Sequence, residues 1–223
     1  MKKSIFIITV ILLFSASLFA QERSKMRPKD RLIIGLFTDI WSDLPNNVNP
    51  NTINRGISID YIQDFPISTS NFSLGVGLGF ASHNLYSDNY YERFVDSHEF
   101  NPIGDIDYKN NKLSLNYLNL PVEVRYRTRN LPRTFRIHAG VKAGLLVDAH
   151  TKYVGNDRGE PSRDTKFKEG KLDNLESFLI GFHARIGYGR INLNAYMPLI
   201  NIFEGNAAED ATFMSLGLSF IVF

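Results

Sequence analysis

From residue 31 onward, apolar side chains occupy every second position in segment after segment, the period of a strand with two unlike faces. Between 31 and 41 the apolar side carries Leu32, Ile34, Leu36, Thr38 and Ile40, opposite Gly35 and Asp39. Between 55 and 63 it carries Ile57, Ile59 and Tyr61, opposite Gly56, Ser58 and Asp60. The third segment is the clearest: Phe72, Leu74, Val76, Leu78 and Phe80 alternate with Ser73, Gly75, Gly77, Gly79 and Ala81. A fourth, 112–127, starts with Leu113, Leu115 and Tyr117, then changes phase to Leu118, Leu120, Val122, Val124 and Tyr126. An extra residue inverts such an alternation, so a β-bulge is expected near Tyr117, with the first three side chains facing outward like the later ones.

The fifth segment, 135–147, sets Ile137, Ala139, Val141, Ala143 and Leu145 against Arg136, His138, Gly140, Lys142 and Gly144. The sixth, 177–188, sets Phe178, Ile180, Phe182 and Ile186 against Gly181, His183 and Arg185. In the seventh, Ile191, Leu193, Ala195 and Met197 oppose Arg190, Asn192, Asn194 and Tyr196. In the eighth, Met214, Leu216, Leu218, Phe220 and Val222 oppose Ser215, Gly217 and Ser219. No segment has the helical period. The connections alternate long (42–54, 84–111, 148–174, 200–211) and short (65–70, 128–133, 187–189). An even-stranded barrel with short periplasmic turns and long outer loops has this rhythm.

Alternation alone also fits a soluble sandwich or a lipocalin-like barrel, whose apolar face points inward. The small residues on the polar face favour the inverse arrangement. Glycine on a wet exterior strand only costs backbone entropy, whereas a narrow eight-stranded lumen has room for little else. Closure also pairs every strand edge, as lipid demands. The expectation is therefore an all-β, eight-stranded antiparallel up-and-down transmembrane β-barrel over 31–223, with Trp41, Tyr61, Tyr126 and Tyr188 suited to interfacial girdles.

The chain starts Met1-Lys2-Lys3, runs apolar from Ile5 to Phe14 and then turns to small residues up to Ala20. This predicts a secretory signal peptide over 1–20 and a polar periplasmic lead over 21–30. Without Lys2 and Lys3 the 25 basic residues fall to 23, against 23 acidic ones, which gives no general attraction to nucleic acid. Cysteine is absent, so disulfides and thiolate metal sites are excluded.

The segment Tyr117-Leu118-Asn119-Leu120-Pro121-Val122-Glu123-Val124-Arg125-Tyr126 resembles a Tyr-Leu-x-Leu/Ile-Pro-x-x-x-x-Tyr strand of the PorT-like, or porin-family, outer-membrane barrels of Bacteroidota. The ending Leu216 to Phe223 is similar to the last strand of that family, although Phe223 falls on the lumen phase. The resemblance implies an outer-membrane place and a barrel shape. Some members serve type IX secretion, a role it does not extend to this chain.

The candidate site is a charged lumen network: Asp39, Asp60, Glu123, Arg125, Arg136, His138, Lys142, His183 and Arg185, joined by Arg127 and Arg190. Its simplest role is to seal the barrel; an anion-selective narrow channel is the alternative. His138 and His183 share this face on adjacent strands, but no histidine spacing forms a metal site, and no cofactor is expected. Ser82 and His83 point to opposite faces and cannot pair, so no enzyme is expected, a lipid-modifying activity or a secretion role being the lesser readings. Outer-membrane lipid is the expected surrounding. Protein contacts are expected through Tyr86, Tyr90, Tyr91, Phe94 and the 166–171 charge cluster in the long loops, because tyrosine offers large amphipathic area at low entropy cost.

Overall fold

A computed structural model describes residues 31–94, 97–129, 131–157, 163–204 and 210–222. The expected leader, periplasmic lead and Phe223 lie outside the described residues. The strands are β1 Leu32–Ser42, β2 Arg55–Pro66, β3 Phe72–Tyr86, β4 Asn89–Phe94, β5 Ser97–Pro102, β6 Tyr108–Arg127, β7 Phe135–Asn156, β8 Asp164–Gly170, β9 Phe178–Tyr188, β10 Ile191–Pro198 and β11 Thr212–Ile221. Eight of them close in the order β1-β2-β3-β6-β7-β9-β10-β11, every pair antiparallel, with β11 returning to β1. This is the expected eight-stranded up-and-down barrel.

Outward positions form a belt of exposed apolar side chains around it, including Leu36, Ile59, Leu78, Leu120, Val141, Phe182, Leu193 and Leu218. Along the 11 residues of β9 the belt runs from Phe178 to Tyr188. At ~3.3 Å per residue and a tilt of ~40°, that is a height of about 25 Å, the apolar thickness of an outer-membrane barrel. Tyr61, Tyr126 and Tyr188 face outward near the short-turn end, as a girdle requires. Trp41 does not: it is buried inside the barrel, where its indole N–H donates to the Asn84 carbonyl. Arg190 is also corrected, lying exposed in the β9–β10 turn rather than in the lumen.

The fourth segment departs from expectation in a way that shapes the whole interior. Its backbone alternation never inverts. Tyr117 is 1% exposed and Leu118 48%, and Leu113 and Leu115 are buried on the same inner face as Glu123 and Arg125. The register shift falls between Asn116 and Tyr117, but the unpaired residue is Val147 on the facing strand, so the bulge belongs to β7. What changes at Tyr117 is the chemistry of the lumen, from polar below to apolar above. The segments expected as loops at 84–111 and 148–174 are largely ordered sheet: β6 and β7 continue together to Tyr108 and Gly155, β8 pairs with β7 up to Asn156, and β4 and β5 form a separate hairpin.

One glycine shows how tight the lumen is. A Cβ on Gly140 would lie 2.0 Å from the Val122 carbonyl oxygen and 2.5 Å from Glu123 Cα, both backbone atoms that cannot swing aside. Gly140→Ala is expected to destabilise by about 1–3 kcal/mol, because overpacking outweighs the ~0.4–1 kcal/mol of backbone entropy that alanine would contribute. Urea midpoints of the bilayer-folded chain check this, and a more stable variant would show a roomier interior.

Candidate functional site

The barrel interior has a charged lower half and an apolar upper half. Glu123, on β6, is the hub of the lower half. Arg125 Nε donates to its Oε1 at 2.5 Å, His183 Nε2 lies 2.8 Å from Oε2, the Arg185 guanidinium donates to the same oxygen, and His138 Nδ1 stands at 3.8 Å. Strand pairing explains the convergence, since Glu123 faces Gly140 on β7 and Gly140 faces His183 on β9. The bare glycine leaves the gap through which side chains from two strands reach one carboxylate. His138 and His183 thus meet at Glu123, and no group of three potential metal ligands occurs among the described residues.

A second acid sits below the hub. Asp64 takes Arg127 NH1 at 3.1 Å and Arg125 NH1 at 3.5 Å, while Ser73 donates to it at 2.8 Å. Asp64 is absent from the sequence-derived list, because Ile62 interrupts the polar face of β2 between Asp60 and Asp64; following the period past Tyr61 would have found it. Arg136 donates to the Pro132 carbonyl at 3.0 Å, and Lys142 Nζ stands 3.8 Å from Asp60. All nine residues of the expected lumen network therefore face inward, and eight of the nine are buried, Lys142 being partly exposed.

Asp39 belongs elsewhere, at the floor of the upper half. Ser215 donates to its Oδ1 at 2.5 Å and His83 Nδ1 lies 3.0 Å from the same oxygen, with Ser215 Oγ 3.5 Å from that nitrogen. Barrel closure makes this cluster, because Asp39 pairs with Ser215 across β1–β11. It has the residue types of a hydrolase triad without the geometry. A relay needs histidine between acid and hydroxyl, one ring nitrogen to each, whereas here both engage Nδ1. The His83 ring is also packed against Phe37, Tyr117, Tyr196 and Phe213. Above it Trp41, Leu85, Tyr91, Phe100, Leu113, Leu115, Ile202, Phe203 and Phe213 form one cluster across the barrel mouth.

The tyrosines expected to contact partners divide. Tyr91 packs on Phe100 and Phe203 and donates to the Asp173 carbonyl at 2.9 Å; burial, with Asp173 nearby, pushes its phenol well above the usual range. Tyr90 packs on Tyr153 and Phe167. Both side chains are buried and fasten the β4–β5 hairpin to the barrel. Tyr86 is half-buried on the outer wall between Arg55 and Lys112, whose charges stand 5.2 and 5.7 Å from its ring centre. The side chain of Phe94 lies outside the described residues.

The sequence profile described as "Outer membrane protein beta-barrel domain" matches residues 20–204. The chain belongs to that family. Membership agrees with the closed sheet and its apolar belt, and places this barrel in the outer membrane. Among solved structures, Ail, the attachment invasion locus protein of Yersinia pestis, in complex with the heparin analogue sucrose octasulfate, is 11% identical, covers 85% of this chain and 96% of its own, and superposes with a TM-score of 0.36. A second Ail structure from the same organism gives 10%, 85%, 95% and 0.36. No curated protein matches the chain.

Proposed function

We propose that this outer-membrane barrel is a closed structural and interaction protein: it does not conduct solutes, it catalyses no reaction, and its ordered extracellular crown, β4–β5 with the tops of β6, β7 and β8, is the working surface. The observation that carries the reading is the filled interior. Between the Glu123 hub and the aromatic cap, the cavity lined by Asp60, Lys142, His183, Arg185, Asn194 and Ser219 has a volume of about 30 Å³. That is room for one or two water molecules, not a path. Against catalysis stands the Asp39–His83–Ser215 geometry, sealed under aromatic rings. The Tyr117–Tyr126 segment supports assignment to the PorT-like branch, and Met1–Ala20 supports export by a cleaved leader.

In planar bilayers the purified barrel is expected to give no steady conductance at neutral pH. A stable, anion-selective current that reverses selectivity when Arg125, Arg136 and Lys142 are made acidic would overturn the closed lumen and establish the channel alternative. Replacing the β4–β5 hairpin with a short turn is expected to abolish partner capture while leaving the heat-modifiable gel shift of the barrel in place.

A further inference from the structure

A cleft on the outer wall above the apolar belt, with a volume of about 460 Å³, is lined by Lys112, His150, Lys152, Lys166, Phe167 and Lys168. Its arrangement follows from register. Lys112 on β6 pairs with Lys152 on β7, and Lys152 pairs with Lys168 on β8, so three lysines stand directly opposite one another across three strands. They share the outward face, since Leu113, Thr151 and Tyr153 beside them are buried inward. On the far side of Lys112 the row continues through Tyr86 to Arg55.

Like charges directly opposite on one sheet face are destabilising. Within the described structure the row is only partly relieved. No carboxylate lies within 4 Å of Lys112, Lys152, Lys166 or Lys168 among the described residues, and Lys112 Nζ donates to the neutral Asn84 side-chain oxygen at 2.7 Å and stands over the Tyr86 ring. Asp148 acts on Lys168 only at longer range, its direct partners being His150 at 2.8 Å and Asn116 at 2.7 Å, and Asp164 opens β8 at its far end. A counter-charge from outside the chain would relieve the row.

Position identifies the source. On β7 the exposed apolar belt ends at Val147, and Lys152 follows five residues further up the same strand. At ~3.3 Å per residue and ~40° of tilt this is roughly 10–15 Å above the hydrocarbon edge, facing sideways along the membrane plane rather than up into the medium. Strand spacing of ~4.8 Å lets two neighbouring ammonium groups reach the oxygens of one phosphate. We propose that the Lys112–Lys152–Lys168 row, with Lys166, His150 and Arg55 around it, is a docking site for the phosphate groups of outer-leaflet lipid. Each lysine acts as a point charge to a phosphate oxygen, and the bound headgroups cancel the repulsion that the strand register creates. The site stands whether or not the crown binds a protein.

The test uses the full mature barrel in nanodiscs of phosphatidylcholine, alone or doped with phosphatidic acid, with the thermal midpoint read from gel mobility. Phosphatidic acid is expected to raise the wild-type midpoint by several degrees, an effect lost in high salt. Lys152→Gln with Lys168→Gln is expected to be more stable than wild type in phosphatidylcholine, because repulsion is removed, and to lose most of the gain from phosphatidic acid. That opposite pair of signs separates a ligand site from a folding defect. Arg129→Gln with Arg133→Gln, on the opposite rim, is expected to keep the larger part of the gain. No gain in wild type, an undiminished gain in the lysine variant, an equal loss in the arginine control, or the same gain from inorganic phosphate in undoped discs would each overturn the proposal.

Discussion

Glu123→Ala is expected to destabilise the folded barrel by about 3–5 kcal/mol, because it removes the counter-charge of buried Arg185 and one of those of Arg125, which also reaches Asp64. Glu123 is 1% exposed and is the one carboxylate touching Arg125, His183 and Arg185 together, with His138 at the edge of contact. Glu123→Gln keeps the shape and one acceptor oxygen, so its loss should be smaller. Adding Arg185→Ala to Glu123→Ala should recover part of the loss, the sign of a coupled pair in a double-mutant cycle. Urea unfolding of the vesicle-folded chain, followed by gel shift, measures all three. A Glu123→Ala barrel within about 1 kcal/mol of wild type would mean that water screens the lumen charges, and the closed interior would fall with it.

Trp41→Ala should cost a similar ~3–5 kcal/mol, the range for deleting a large buried aromatic side chain. The indole is enclosed by Phe203 and Phe213, with ring centres 6.5 and 5.1 Å away, and its N–H is spent on Asn84. An interfacial girdle residue would cost far less to remove. Since the chain holds 1 tryptophan, its fluorescence reports this site alone. Emission should be blue-shifted and unquenched by lipids brominated along their acyl chains. Strong quenching by those lipids would put Trp41 on the lipid face and dissolve the cap.

Both predictions concern the interior, and the interior is where sequence and structure part. The lower half was legible. Arg125, Arg136, His138, Lys142, His183 and Arg185 sit on the polar phase of strands whose other phase is apolar, and a period of two assigns faces without knowledge of the neighbours. Which acid they meet was not legible, because Glu123 is reached from β7 and β9 only through the gap at Gly140.

The upper half misleads any reading by polarity. Leu113, Leu115 and Tyr117 are apolar, as lipid-facing residues are, yet they face inward, and so does Trp41. Side-chain chemistry does not distinguish a lipid environment from an aromatic core; only the continuous backbone phase of β6 does. The bulge shows the same limit. The phase break was visible near Tyr117, but two strands share a register shift, and only their pairing puts the extra residue at Val147.

By itself the sequence determined the period, the eight strands of the barrel wall, the alternation of short and long connections and therefore the barrel, since these depend on each strand and its immediate turns, while β4, β5 and β8 read as loop. Tertiary closure decided the rest. It brought Asp39 beside Ser215 across 176 positions of chain, gathered the cap from loops and strand tops, and lined up Lys112, Lys152 and Lys168 in one row. Those juxtapositions are set by register between strands, and register is a property of pairs of segments that no single segment carries.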